Sequence, residues 1–222
     1  MPYPVGHRGV VKGKIIQSAR RLFHRHGFDN VSIQQIMLGA GLTHGGFYTY
    51  FRSKRALYTK VLRCFFTDPE WKNQWEGVEV DMASPQAAAQ VVKAYLSRQH
   101  FEDVENSCPM VALPTDVMRS GEETKRAFEE LFAAMVGLLE RNVSDEKQQR
   151  RAKAQAVAAL CVGGMVVARA IEDRVVADEL RDACLLIALQ LGGWVDTSGL
   201  KNGRQKAELS QTEKASWLIE CR

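Results

Sequence analysis

Apolar side chains recur at helical spacing through most of the chain, beginning near the N-terminus. The first such segment has one apolar stripe, which consists of Ile15, Ala19, Leu22 and Phe23. Gly27 follows this segment, as glycine does just past a helix C-terminus. Ser32 and Gln35 have the spacing of a capping box, which predicts that a short second helix begins there. Gly39 and Gly41 then predict a tight turn.

Two more short helices are predicted after this turn. Thr43 begins the third helix, in which Phe47 and Phe51 point to the same side. Ser53 is a suitable N-cap for a fourth helix, whose apolar stripe is Leu57, Val61 and Phe65. Residues 9–66 are therefore predicted to form a small helical domain, with a helix-turn-helix at about residues 32–51.

Helical patterns also cover the remainder of the chain. Ser84-Pro85 predicts a helix start, because a capping residue is followed by proline, and this helix should run to about His100. Pro109 and Pro114 interrupt the apolar segment Ser107–Arg119 and predict a kinked or broken helix there. Three longer helices are predicted over Glu122–Arg141, Ser144–Asp173 and Asp178–Trp194.

The expected fold class is all-α, because no strand-like alternation competes with these patterns. The three-helix N-terminal domain is expected to precede a helical effector-binding and dimerisation domain at residues 67–195. Residues 196–222 are rich in Lys, Gln, Ser and Gly, which predicts a flexible tail. Hydrophobic residues make up 45% of the 222 residues, but their runs are too short to predict a membrane span.

The five cysteines are scattered, and no two of them form a Cys-x-x-Cys pair. This pattern argues against a disulfide framework and a cysteine-based zinc site, and it predicts a reducing, cytoplasmic location. The basic N-terminus lacks the apolar stretch of a secretory signal. The sequence motifs of serine hydrolases, zinc peptidases, dinucleotide-binding proteins and P-loop NTPases are absent, so neither catalysis nor a cofactor is expected.

Charge is distributed unevenly along the chain. Residues 1–67 contain eleven Lys or Arg and a single acid, Asp29, whereas the remainder contains 19 Lys or Arg and 25 Asp or Glu. A basic first third joined to an acidic remainder indicates a polyanion-binding module. A solvated basic face, or a basic module that binds another protein, is the alternative interpretation.

Two short helices joined by a glycine turn inside a basic segment form a helix-turn-helix pattern. The second helix of such a pair enters the major groove N-terminal end first, so its outward residues must be small or polar. His44, Gly45 and Tyr48 meet this requirement around the inward Phe47. Glycine costs about 1 kcal/mol relative to alanine inside a helix, so Gly45-Gly46 indicates close approach to another surface.

The pattern Gly-Leu-Thr-x-Gly-x-Phe-Tyr-x-x-Phe-x-Ser-Lys at Gly41–Lys54 resembles the DNA-binding domain of the TetR/AcrR family, as residues 9–66 do more broadly. The resemblance implies a homodimeric regulator, usually a repressor, that binds double-stranded operator DNA and responds to a small-molecule effector. It also implies DNA contacts at Ser32, Thr43, His44, Gly45, Gly46, Tyr48, Tyr50 and Lys54. His44 and Gly45 are expected to face bases, and Lys54 to hold phosphate. Packing is the alternative for Tyr48, and mere exposure is the alternative for His44.

The last two predicted helices carry more apolar surface than one small domain needs. One stripe consists of Ala156, Ala159, Leu160, Gly163, Val166, Val167, Ala170 and Ile171, and the other of Leu180, Cys184, Ile187, Leu191 and Val195. Gly163-Gly164 permits a close approach between helices. A second copy of the chain would cover these stripes in a two-fold symmetric, four-helix interface, and an intramolecular core is the alternative.

Soft and aromatic side chains on the central helices predict an effector pocket, whose candidate residues are Cys108, Met110, Met118, Phe128, Phe132 and Met135. Core packing is the alternative for each of them. Cys108 lies at a predicted helix start, where the helix dipole would lower the pKa of its thiol. The surrounding segment also resembles a region in which some family members sense electrophiles or oxidants. A small apolar effector and a thiol-reactive effector are therefore both expected candidates, with a passive thiol as the alternative role of Cys108.

Overall fold

The computed structural model of the protein describes residues 7–65, 80–143 and 147–194, and every regular element in these ranges is helical. The all-α prediction is thus confirmed, whereas the predicted tail at 196–222 lies outside the described residues. Residues 7–65 form the head, which contains α1 (His7–His26), α2 (Ile33–Gly39), a 3₁₀ helix (His44–Thr49) and α3 (Lys54–Cys64). The other described residues form the body, which contains α4 (Ala87–Tyr95), α5 (Arg98–Glu102), α6 (Pro109–Ala112), α7 (Pro114–Met118), α8 (Glu122–Glu140), α9 (Lys147–Ala170) and α10 (Arg174–Gly192).

The core of the head forms because each of its helices turns an apolar stripe inward. Phe23 and Tyr58 are fully buried and pack edge to face, with ring centroids 5.2 Å apart. The predicted capping box is present: Ser32 Oγ accepts a hydrogen bond from Gln35 N at 3.1 Å, and Gln35 Oε1 accepts one from Ser32 N at 2.8 Å. Gly41, at φ 70°, supplies the left-handed residue of the turn that follows α2.

The third helix of the head differs from the α-helix that the sequence predicts. It is a six-residue 3₁₀ helix, and the side chain of Thr43 makes no capping hydrogen bond to it. Short helical segments adopt this tighter winding readily, and the adjacent Gly45 and Gly46 weaken the α-helical alternative. The placement of the predicted helix is correct, and only its winding differs.

The first half of the body is more fragmented than predicted. The helix expected from Ser84-Pro85 begins at Ala87, because Ser84 Oγ accepts a backbone hydrogen bond at 3.1 Å and closes a turn. That helix ends at Tyr95 instead of near residue 100, because Ser97 caps the separate helix α5. The predicted break between residues 107 and 119 is confirmed, since a proline begins both α6 and α7.

The long helices lie close to their predicted positions, except at the start of α10. This helix begins at Arg174 instead of Asp178. The reason is Asp173, whose carboxylate accepts a hydrogen bond from a first-turn backbone N–H at 2.8 Å and caps the helix. Among the described residues, the stretch Gln149–Ala170 of α9 has the length and apolarity of a membrane span, and core helices of soluble proteins share both properties.

The helices α9 and α10 form a hairpin with two different faces. The inner face of α9 is buried and consists of Ala154, Val157, Ala158, Cys161, Met165 and Ala168. The outer face of the hairpin is exposed and consists of Ala156, Ala159, Gly163, Val166, Val167 and Ala170 with Ala183, Leu186 and Ile187. The other residues of the two predicted stripes are half-buried, namely Leu160, Ile171, Leu180, Cys184 and Leu191, except for Val195, which lies outside the described residues.

The glycine pair of α9 is divided between these two faces. Gly163 has no heavy atom within 4 Å of an added Cβ, whereas a Cβ at Gly164 would lie 2.7 Å from Cys184 Sγ. The close helix approach that the sequence predicts therefore occurs within the chain, at Gly164.

Candidate nucleic-acid interface and the adjoining body

The 3₁₀ helix separates an inward side from an outward side. Phe47 is fully buried in the head, whereas Thr43, His44 and Gly45 are exposed. Tyr48 is 62% exposed, although its ring packs at a right angle to the Phe47 ring with the centroids 5.3 Å apart, so it is not packed beneath the helix. The remaining predicted contact residues of this helix, Gly46 and Tyr50, are half-buried, and Ser32 is exposed at the start of α2.

The ammonium group of Lys54 is directed into the protein. Its Nζ donates hydrogen bonds to the carbonyl oxygens of Phe28 and Val31, both at 2.8 Å, and lies 4.3 Å from the centroid of the Phe28 ring. These contacts hold the loop between α1 and α2 against the start of α3. The sequence predicts a phosphate clamp at this position, but two of the three ammonium protons are used inside the head.

Two basic residues near the 3₁₀ helix were not among the predicted contacts. Arg8 is exposed, and its guanidinium donates a hydrogen bond to the carbonyl oxygen of Thr49 at 3.1 Å, at the end of that helix. Lys12 lies over the ring of Phe51, with Nζ 5.4 Å from the centroid. The only signal in the sequence was the general basic charge, because neither residue belongs to the helix-turn-helix pattern.

Acidic residues of the body neutralise some of the basic residues of the head. Arg52 lies 2.9 Å from a carboxylate oxygen of Glu123, and Arg63 lies 3.1 Å from one of Glu130. These surface pairs contribute little to stability, but they leave less uncompensated positive charge on the side of the head that meets the body. The head therefore keeps more of its unpaired positive charge on the side that faces away from the body.

Hydrogen bonds also join the head to the body. Asp116 of α7 accepts a hydrogen bond from the backbone N–H of Phe28 at 2.8 Å, just past the end of α1. The hydroxyl groups of Thr59 in α3 and Thr124 in α8 lie 3.0 Å apart in a buried position. The short helix α7 therefore fixes the end of α1, and α8 fixes the middle of α3.

The six predicted pocket residues differ in exposure. Cys108, Met110 and Met135 are buried, and Phe128 and Phe132 are half-buried. Met118 is 72% exposed and was wrongly predicted, because on the one-turn helix α7 it is the neighbouring residue 117 that faces the core.

The thiol of Cys108 is not the low-pKa group that the sequence predicts. Burial raises the pKa of the Cys108 thiol to about 11, so it is protonated at neutral pH. The helix that it precedes has only four residues and provides a weak dipole.

A buried polar cluster surrounds this cysteine, and sequence reasoning missed it. Arg169 donates to Ser107 Oγ at 2.8 Å, and Ser107 Oγ lies 3.1 Å from His100 Nε2. His100 Nδ1 donates to the carbonyl oxygen of Tyr95 at 2.6 Å, and Nε2 accepts the backbone N–H of Cys108 at 3.2 Å. Since Nε2 accepts a proton donor, His100 is neutral. Burial also lowers the pKa of His100 to about 4.

The short helix α2, the glycine turn and the exposed 3₁₀ helix together have the arrangement of a helix-turn-helix. Residues 15–61 match the family model for bacterial regulatory proteins of the tetR family. The uncharacterized HTH-type transcriptional regulator YerO of Bacillus subtilis is 29% identical over 119 residues, which are 53% of this chain and 40% of that protein. The uncharacterized HTH-type regulator YuxN of the same organism is 36% identical over 52 residues, which are 23% and 18% of the two chains. The chain thus spans less than half the length of these curated relatives.

The similarity of fold extends through the body. The reduced form of Escherichia coli NemR has a TM-score of 0.63 at 18% identity, over 82% of this chain and 96% of that one. A TetR-family regulator from Agrobacterium tumefaciens has a TM-score of 0.58 at 22% identity, over 81% and 98% of the two chains. The match to the tetR family model thus covers residues 15–61 of the head, and the solved structures show that the chain shares the fold of these regulators.

Proposed function

We propose that the protein is a homodimeric, sequence-specific DNA-binding regulator that acts as a repressor and is released from its operator by a small effector. The observation that carries the proposal is the 3₁₀ helix, which exposes His44, Gly45 and Tyr48 while Phe47 anchors it in the core. A small, polar outward side allows the backbone to approach base edges in the major groove. The basic charge of the head supplies the attraction for phosphate.

Titration of duplex DNA by fluorescence anisotropy tests the DNA-binding part of this proposal. We expect the affinity to fall steeply and log-linearly with salt concentration, because binding releases counterions from the phosphates. The double variant His44→Ala, Tyr48→Ala should bind more weakly and keep its helical circular dichroism, since both side chains are exposed. Failure of the wild-type chain to bind duplex at low salt would favour a protein-binding role for the basic head.

The outer face of the α9–α10 hairpin is assigned to a second copy of the chain. Ile187 is 45% exposed, and further apolar side chains surround it on both helices. The exposed charges also favour self-association, because Arg151 lies near the start of α9 and Glu179 and Asp182 lie near the start of α10. These starts are at opposite ends of the hairpin, so a two-fold axis that lies in the interface, perpendicular to the helices, brings the basic end of one copy to the acidic end of the other.

An effector acts on DNA binding only if it favours one spacing of the two heads. The contacts of Asp116 and Thr124 with the head give the body a means of setting that spacing. The structural neighbour AibR was crystallised with isovaleryl coenzyme A and operator DNA. For the present chain, the apolar central helices support a small, largely apolar effector.

A thiol-reactive effector is the second candidate, and the buried, protonated thiol of Cys108 disfavours it. Operator affinity measured with candidate apolar compounds and with N-ethylmaleimide, in wild type and Cys108→Ser, separates the two. We expect release by an apolar compound to survive the substitution. Release by the maleimide that disappears in Cys108→Ser would instead establish the thiol as the sensor, and unchanged affinity under every condition would leave a constitutive DNA binder.

A further inference from the structure

The loop at residues 103–107 lies between the dimerisation helix α9 and the first helix of the head. We propose that Arg169 is a positioning residue for DNA binding, which acts through this loop on α1. The inference rests on the proposed function. It adds a set of contacts through which the body can move the head without passing through the connecting helix α3. Four steps of contact carry it.

The first step is the position of Arg169 on α9. The neighbouring Val166, Val167 and Ala170 are exposed on the outer face, whereas Arg169 is half-buried and directed toward the body. One turn of helix therefore carries both a surface for the second copy and a charged side chain that reaches into the chain. A shift of α9 that is caused by dimer packing or by an effector therefore moves the outer face and the guanidinium of Arg169 together.

The second step is the set of acceptors that Arg169 holds. Its guanidinium donates to Ser107 Oγ at 2.8 Å, to the carbonyl oxygens of Phe101 at 3.1 Å and Asp103 at 3.4 Å, and to that of His100. Three of these acceptors lie at or just before the first loop residue, and the fourth, Ser107, is the last loop residue. One planar group therefore holds both ends of the loop. Desolvation lowers the pKa of Arg169. Arginine side chains keep their charge in proteins, so the guanidinium holds these acceptors as a cation.

The third step joins the other side of the loop to α1. The Glu105 carbonyl accepts a hydrogen bond from His24 Nδ1 at 3.1 Å, and its carboxylate lies 2.6 Å from the guanidinium of Arg25. Arg20 donates to Asn106 Oδ1 at 3.4 Å. Three residues on one side of α1 thus contact two consecutive loop residues.

The loop itself is stiff, because Asp103 accepts hydrogen bonds from both the backbone and the side chain of Asn106, each at 3.1 Å. A displacement imposed at Arg169 is therefore passed on to α1 and not absorbed within the loop.

The fourth step leads from α1 to the helix-turn-helix. Ser18 Oγ donates to the carbonyl oxygen of Ile36 in α2 at 2.8 Å. A Cβ on Gly39 would lie only 2.5 Å from the same Oγ, so α1 and α2 are packed without space between them. A rotation of α1 therefore carries α2, and the 3₁₀ helix attached to it, as one unit.

The test compares two arginines that reach into the body, in the full-length dimer. Arg169→Gln removes the loop contacts. The control Arg181→Gln removes a more deeply buried arginine of α10, which donates to the Leu96 carbonyl at 2.7 Å, pairs with Asp178 and lies over the Phe101 ring. Within the described residues, Arg181 makes no hydrogen bond to residues 103–107. We expect Arg169→Gln to weaken binding to an operator duplex selected with wild type about tenfold, within the range of typical coupling energies. Arg181→Gln should change it less than about twofold at a similar loss of thermal stability, with both variants still dimeric.

Substitutions on the loop keep the inference testable if Arg169→Gln does not fold. Glu105→Gln and Asn106→Ala remove half-buried contacts to α1 and should also weaken operator binding while dimerisation is unchanged. In double-mutant cycles with the milder Arg169→Lys, the losses in operator affinity should be non-additive. Wild-type affinity in the folded loop variants, or equal losses in Arg169→Gln and Arg181→Gln, would overturn the inference. Failure of wild type to select any duplex would overturn the proposed function instead.

Discussion

The head and the body use polar side chains in opposite ways. In the head, the polar residues His44 and Tyr48 of the 3₁₀ helix are exposed, while the fully buried Phe47 anchors the helix in the core. In the body, Ser107 and His100 are fully buried and the half-buried Arg169 reaches in to Ser107, so these polar side chains form hydrogen bonds with one another. Substitutions on the head surface should therefore change binding without changing the fold. Substitutions in the body should change stability and the position of the head together.

The largest expected effect comes from the adjacent glycines of α9. Gly164→Glu should destabilise the fold by about 3–5 kcal/mol, because the new side chain meets Cys184 and buries an unpaired charge. Gly163→Glu should keep the fold, since its Cβ meets open space, but it should produce monomers. Urea denaturation followed by circular dichroism, together with light scattering, distinguishes the two outcomes. A folded Gly164→Glu monomer would show that this glycine lies on the dimer interface after all.

The buried histidines predict a smaller loss of stability in acid. Burial, followed by the charge of Arg20, lowers the pKa of His24 to about 3, and burial lowers that of His100 to about 4. In the unfolded chain both histidines take up protons below about pH 6.5, while the folded chain does not. The free energy of unfolding should therefore fall as the pH drops below about 6.5, by about 2 kcal/mol per histidine at pH 5.

Urea titrations at pH 7 and pH 5 measure this loss. The variant His24→Gln should lose about half of the histidine contribution to the pH dependence. Equal stability of the wild-type chain at both pH values would mean that the two histidines are not held neutral in the folded protein.

A third comparison lies within the head. Lys54→Ala should lower the free energy of unfolding by about 1–2 kcal/mol, because it removes two charge-assisted hydrogen bonds to backbone carbonyls. His44→Ala should change it by less than about 0.5 kcal/mol, because the side chain is exposed. The two variants should also differ in DNA binding. Lys54→Ala should weaken binding to all sequences alike, whereas His44→Ala should alter the preferred sequence. Unchanged preference in His44→Ala would remove this residue from base recognition.

The helices and the turn of the head could be predicted well, because the sequence patterns that determine them are short. The capping box joins Ser32 to Gln35, three residues apart, and the glycine turn follows within one short segment. Patterns of this length can be recognised without knowing the tertiary structure. The winding of the 3₁₀ helix and the inward turn of Lys54 were missed, because both depend on packing against the rest of the head.

The organisation of the body could be predicted only in part. Long helices followed from periodicity, and the two prolines correctly predicted a break. The buried cluster was not predictable, because Arg169 lies 62 residues from Ser107 and no pattern joins them. The same limit explains Cys108: proximity to a helix start indicated a reactive thiol, whereas burial by distant residues determines its pKa.

Selection of bound DNA from a random duplex pool by the full-length chain tests the proposal of a dimeric, sequence-specific DNA binder most directly. We expect the selected sequences to share an inverted repeat, with half-site centres about 34–36 Å apart along the duplex or at a multiple of that distance. Each half-site should change when the selection is repeated with His44→Ala. A pool without a common sequence, or with a single asymmetric site that one copy occupies, would contradict the proposal.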